Sequence, residues 1–124
     1  MQLFFTDEHQ WVRLDDDQLT ATIGISQHAQ EALGDVVFVD LPSVGAIFQQ
    51  MNVGAVVESI KTAADVLMPL SGEVLAVNEA LRLDPSLVNS DPMQAGWFIK
   101  IKLDPAQLAT ELAKLIPESQ YHPS

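Results

Sequence analysis

Lys61 is the side chain of this sequence best placed to do covalent chemistry. It stands in "VVESIKTAADVLMP", Val56 to Pro69, between two apolar runs, and no other basic residue lies between Arg13 and Arg82. A lysine amine offers two kinds of chemistry. A Schiff-base catalyst needs burial to lower its pKa. An acylation target needs the opposite, an open position that a modifying enzyme can reach. "VVESI" and "DVLMPL" read as strands that turn at "KTAA", so the Lys61 side chain should project from a hairpin tip. Ser59, Thr62, Ala63 and Ala64 are small, and Glu58 and Asp65 flank the turn with carboxylates. An ordinary exposed turn lysine is the plain alternative, since exposure is the usual fate of lysine. The isolation of Lys61 among small residues favours acylation over it.

No other residue type or spacing competes. His9, His28 and His122 lie far apart in sequence, with no metal-ligand spacing, and read as surface or capping groups. Asp15-Asp16-Asp17 lacks the glycine and distal glutamate of a calcium loop and reads as a solvated turn. Trp11 and Trp97 are most simply core or edge anchors. No nucleophile elbow, P-loop or dinucleotide fingerprint is present.

The composition narrows the partners. The chain has 124 residues and 48% hydrophobic content, which suits one domain with its own core. Six basic against 17 acidic residues give a formal net charge of -11. That balance argues against nucleic acid and against an anionic membrane surface, and suits steering toward basic patches on protein partners. There is no cysteine, so disulfides, thiolate ligands and thiol nucleophiles are excluded, and any thiol chemistry must be attached. "MQLFFTDEHQWV" lacks a basic n-region and a long apolar stretch, and the chain reads as cytoplasmic.

The elements that must hold Lys61 are mostly strands. Val12 to Leu14 and Leu19 to Ile23 form a hairpin about "DDDQ". Ser26 caps a short helix over "SQHAQEALG" that Gly34 ends. "DVVFVDLP" reads as a buried strand, and "EVLAVN" as another after a second hairpin turn at Ser71–Gly72. "PSLVNSDPMQAG" is a loop. "WFIKIKL" alternates, with Trp97, Ile99, Ile101 and Leu103 on one face. "DPAQLATELAKLI" reads as a C-terminal helix with Asp104 as N-cap, Pro105 in first position and a stripe of Leu108, Leu112, Leu115 and Ile116. Several short strands with close turn signals indicate a small sandwich or barrel. Residues 1–116 read as a single domain and 117–124 as a flexible tail.

"FTDEHQWV", "IGISQHAQEALGDVVFVDLPSVG", "VVESIKTAADVLMPLSGEVLAVNEAL", "LVNSDP" and "GWFIKIK" stand in this order from about Phe5 to Ile116. In that order and spacing the chain resembles the H protein of the glycine cleavage system, a lipoyl carrier family. The resemblance implies a mostly β, flattened barrel-sandwich hybrid of the lipoyl and biotinyl type, with short added helices. It implies lipoate in amide linkage on Lys61, attached by a lipoate ligase or an octanoyl or lipoyl transferase. It implies a monomeric, non-catalytic carrier that takes the aminomethyl group of glycine between glycine decarboxylase, aminomethyltransferase and dihydrolipoyl dehydrogenase. Glu58, Ser59 and Asp65 fall at the modification hairpin, where Glu58 and Asp65 are expected to orient the attaching enzyme. Biotin carriers place Met on both sides of the lysine, whereas Ile60 and Thr62 stand here.

The chain departs from the family pattern at Gln10. The family usually reads His-Glu-Trp, and its glutamate lines a cleft that shelters the loaded arm; here the motif is His9-Gln10-Trp11. A neutral amide pairs less well than a carboxylate with the cationic amine of that arm. Thr62-Ala63-Ala64 and the ending after Ile116 also differ from the usual family sequence. The alternative implied is an H-like lipoate carrier that serves another pathway, such as a sulfur-oxidising heterodisulfide-reductase-like system or lipoate relay.

Overall fold

A computed structural model describes residues 2–123. The chain runs β1 (Gln2–Phe5), β2 (Gln10–Leu14), β3 (Thr20–Ile25), α1 (Gln27–Leu33), β4 (Val36–Asp40), β5 (Ile47–Phe48), β6 (Val53–Ser59) and β7 (Ala63–Leu67). It continues through β8 (Gly72–Val77), α2 (Ala80–Leu83), α3 (Leu87–Ser90), β9 (Ile99–Leu103), α4 (Leu108–Leu112) and β10 (Ile116–Pro117). Two antiparallel sheets result. The larger has the order β10-β1-β2-β3-β9-β8-β5, and the smaller the order β4-β6-β7. The architecture is the flattened, mostly β one expected, as two sheets that do not close into a barrel.

Alternation builds the core between the sheets. Ile99, Ile101 and Leu103 of β9 are buried while Lys100 and Lys102 are exposed. Val12, Ile23, Val74 and Ile101 of the large sheet join Val39, Val57 and Val66 of the small one in one apolar cluster. β2 is buried on both faces. Trp11 lies on the face away from the core, where its Nε1 donates to Pro92 O at 3.0 Å and the Arg13 guanidinium sits 4.6 Å from its ring centre. Gly24 pairs with Trp11 across β2 and β3, and a Cβ there would stand 2.6 Å from Trp11 Cζ2, so only glycine fits.

Several expectations change. Ser71–Gly72 is not a hairpin turn: β7 belongs to the small sheet and β8 to the large one, so this segment crosses between them. β4 is an edge strand with only Val36 and Val39 buried, because a register shift between Val36 and Phe38 turns Val37 and Phe38 outward. The "PSLVNSDPMQAG" loop contains the short helix α3, and the strand in "WFIKIKL" begins at Ile99.

The C-terminal end differs most. Asp104 caps only a turn, Oδ1 accepting from Ala106 N at 3.0 Å, and the helix proper spans five residues from Leu108. Pro105 lies outside it, and Ile116 is in a strand. Residues 117–123, expected as a loose tail, pack back on the domain. Ile116 and Pro117 pair with Phe5 and Phe4. Tyr121 stacks on Phe5 with ring centres 3.7 Å apart and planes 5° apart. The aromatic contact and the two-residue strand hold a segment whose polar composition had read as frayed.

Candidate functional site

Lys61 lies in the turn between β6 and β7, and its side chain is exposed. The turn is built by Ser59. Its Oγ accepts from Lys61 N at 3.2 Å and from Thr62 N at 3.1 Å, and the Ser59 N–H donates to Thr62 O at 2.8 Å. A serine hydroxyl that satisfies two turn amides replaces the ladder where the strands part. The tip is anchored from below by the Ile60 N–H, which donates to Asp35 O at 3.0 Å, and by the pairing of Ser59 with Val36.

The base under Lys61 is the end of α1. Ser26 Oγ accepts from Ala29 N at 3.1 Å and starts the helix as expected. Gly34 ends it at φ 78, ψ -158, a backbone region open almost only to glycine. Asn89 braces this corner. Its Nδ2 donates to Gly34 O at 2.8 Å and to Gln30 Oε1 at 2.9 Å, and its Oδ1 accepts from Val36 N at 2.9 Å.

Beside the hairpin is a cleft of about 330 Å³. Ile25, Ala29, Leu33, Val57 and Val66 give it apolar walls, and Glu8, His9, Gln10, His28, Thr62 and Asp65 give it polar groups. The structure therefore brings Gln10 and Asp65 together in one cleft and places Glu58, Ser59 and Lys61 on the hairpin beside it. Gln10 is buried, and its Oε1 accepts from Thr6 Oγ1 at 2.6 Å. Thr6 Oγ1 also accepts from Gln10 N at 3.1 Å and Glu8 N at 3.2 Å, which fixes the β1–β2 turn. Glu58 is exposed opposite Ala63, and Asp65 is exposed opposite Val56.

Sequence reasoning missed His9 and His28. They stand 19 positions apart in sequence, so no spacing rule joins them, yet the rings lie 4.4 Å apart between centres on the cleft wall. His9 sits at φ 72, a left-handed turn position. Its Nδ1 is 2.6 Å from Tyr121 Oη, and Tyr121 Oη donates to Ser26 Oγ at 3.1 Å. Tyr121 was hidden in the segment read as a tail, and Asn89 in the segment read as a loop.

Comparison with known proteins gives this arrangement a context. A solved glycine cleavage system H protein from Mycobacterium marinum superposes with a TM-score of 0.76 at 32% identity, over 90% of this chain and 97% of that one. Glycine cleavage system H protein 2 of Pseudomonas syringae pv. tomato is 50% identical over 120 residues, covering 97% of this chain and 91% of that protein. The glycine cleavage system H protein of Psychrobacter cryohalolentis is 53% identical over 103 residues, covering 83% of this chain and 81% of that protein. The family model described as glycine cleavage H-protein matches residues 3–123, and the chain belongs to that family.

Proposed function

We propose that this chain is the lipoyl carrier of a glycine cleavage system, with lipoate joined by an amide bond to Lys61 Nζ. The carrying observation is the position of Lys61: exposed on a hairpin tip, beside an apolar-walled cleft. The residues present fit the group. An open tip admits an attaching enzyme, and Ile25, Leu33, Val57 and Val66 suit an aliphatic chain and a sulfur ring. Lipoate supplies a disulfide and dithiol pair, which a chain without cysteine lacks.

The rest is done by this chain's own residues. Acylation removes the charge of Lys61 and leaves Glu58 and Asp65 as the local field. Ser59 holds the turn rigid, so that the attached arm pivots from a fixed point. The cleft walls exclude water from whatever they cover, while Gln10, His9 and Asp65 offer acceptors to a cationic amine. The chain then acts as a carrier without turnover of its own. Its partners are a glycine decarboxylase, an aminomethyltransferase, a dihydrolipoyl dehydrogenase and a lipoate-attaching enzyme. Among the described residues no helix is long and apolar enough to cross a membrane. The glycine cleavage names of the relatives turn the reading away from an H-like carrier of another pathway.

Intact mass of the native protein and of Lys61→Arg tests the attachment. The native chain should carry one lipoyl group and the variant none. An unmodified native chain from a lipoate-replete host overturns the reading. Glycine-dependent loading by the cognate decarboxylase then tests the pathway, and failure to load a lipoylated chain overturns it.

A further inference from the structure

The C-terminal segment reaches the cleft through one side chain, and this contact has no place in the carrier reading so far. Two walls of the cleft come from different elements. The turn between β1 and β2 supplies Glu8, His9 and Gln10, and α1 supplies His28, Ala29 and Leu33. The backbone joins them once, where the Ser26 N–H donates to His9 O at 2.9 Å. Tyr121 joins them a second time. Its hydroxyl stands 2.6 Å from His9 Nδ1 and 3.1 Å from Ser26 Oγ, the N-cap of α1. Its ring is seated by the stack on Phe5.

The hydroxyl has a single proton. Ser26 Oγ carries a proton of its own; in the arrangement where the Tyr121 proton goes to Ser26 Oγ, the Tyr121 oxygen accepts from His9, and the His9 hydrogen sits on Nδ1. In the neutral ring Nε2 is then a bare acceptor, on a residue that lines the cleft. We propose that Tyr121 is a positioning residue: it clamps the β1–β2 turn to α1 and holds His9 as the Nδ1–H tautomer, with Nε2 free to accept from a cationic amine. A further acceptor matters here because Gln10 has no charge to offer and one of the two lone pairs of its Oε1 is already taken by Thr6. This inference rests on the reading that a loaded arm enters the cleft.

The test has two parts. In the unmodified chain labelled with 15N, long-range proton–nitrogen correlations at a pH where the rings are neutral report each tautomer. His9 should be Nδ1–H in the native chain and shift toward Nε2–H in Tyr121→Phe, which keeps the Phe5 stack. His122, exposed and near the chain end, serves as the control and should not move. A native His9 in the Nε2–H form, or no change in the variant, overturns the proposal. In the lipoylated chain loaded with the aminomethyl group, spontaneous hydrolysis adds water across the S–CH2–NH2 unit and releases thiol, formaldehyde and ammonia. Ammonia release should be roughly fivefold faster in Tyr121→Phe, as expected for one lost hydrogen bond. Equal rates, with the native chain slower than its urea-unfolded form, overturn the proposal. A native chain as fast as its unfolded form overturns the sheltering reading instead, and the tautomer alone then decides the role of Tyr121.

Discussion

Lys61 lies directly over Gly34: a Cβ built on Gly34 would be 3.0 Å from Lys61 Cε and 3.5 Å from Nζ. The residue proposed to carry the arm therefore rests on the one position of the α1 corner that has no side chain. Gly34→Ala brings a strained backbone, at φ 78, into collision with that stem. The backbone strain alone costs about 1–3 kcal/mol, and at this chain length each kcal/mol lowers Tm by roughly 4 °C. The lysine stem is flexible and exposed, so it swings away rather than losing function. Calorimetry should show the lower Tm, while the lipoylation rate of the folded variant stays within about twofold of native, since surface side-chain rearrangements of this kind involve less than about 0.5 kcal/mol.

Glu58 and Asp65 flank the hairpin on its solvent side, Glu58 opposite Ala63 and Asp65 opposite Val56. Being exposed, they contribute little to stability but can steer a partner with a basic rim. Glu58→Lys with Asp65→Lys reverses that field. Lipoylation by the cognate ligase or transferase should slow at least tenfold at low ionic strength, with the difference shrinking as salt is added. Thermal melting should be nearly unchanged. A native lipoylation rate in the double variant would show that the attaching enzyme does not read these charges.

The hairpin and its lysine were legible in the sequence because they depend on local signals. Small residues, a strand on each side and a lone cation all fall within fourteen positions. The cleft was legible only through the family resemblance, at Gln10; no local pattern shows it, because its walls come from β1–β2, α1 and β6–β7 and meet only after the sheets pack. His9 and His28 illustrate this: neither has a sequence neighbour that marks it, and only tertiary contact makes them a pair. The same limit explains the C-terminal end. The leucine stripe suggested a longer helix; Leu108, Leu112 and Leu115 do pack on the core, but the helix covers only Leu108–Leu112, and a two-residue strand follows. Edge strands as short as β5 and β10 carry no periodicity from which they could be read.

Gln10→Glu would restore the acidic group that the family resemblance places in this motif. Thr6 Oγ1 already donates to this position, so the carboxylate would keep that hydrogen bond and have its remaining lone pairs for the amine. A hydrogen bond to a charged group contributes about 1.5–3 kcal/mol against about 1 for a neutral one. Loss of the carried amine from the loaded chain should therefore slow roughly fivefold for a gain of about 1 kcal/mol. The cost falls on the unloaded chain, where a buried carboxylate has no counter-charge, and urea unfolding should show lower stability. If the amine is lost at the native rate, Gln10 does not face it in the loaded state.

Glu111 ties α4 to the crossing between the sheets. Its Oε1 accepts from Ser71 N at 2.9 Å and its Oε2 from Ser71 Oγ at 2.5 Å, with the side chain buried. Gln50 Nε2 donates to the Glu111 carbonyl at 3.1 Å, so the same residue also holds the β5–β6 turn. Glu111→Ala keeps the carbonyl contact but leaves the Ser71 amide buried and unpaired, at about 1–3 kcal/mol. Glu111→Gln retains one acceptor for that amide and should cost less. Urea titrations should rank native above Gln above Ala. Lys61 sits on a hairpin of the other sheet, so both variants should be lipoylated at the native rate while folded. A variant that is fully stable yet poorly lipoylated would instead place Glu111 in contact with the attaching enzyme.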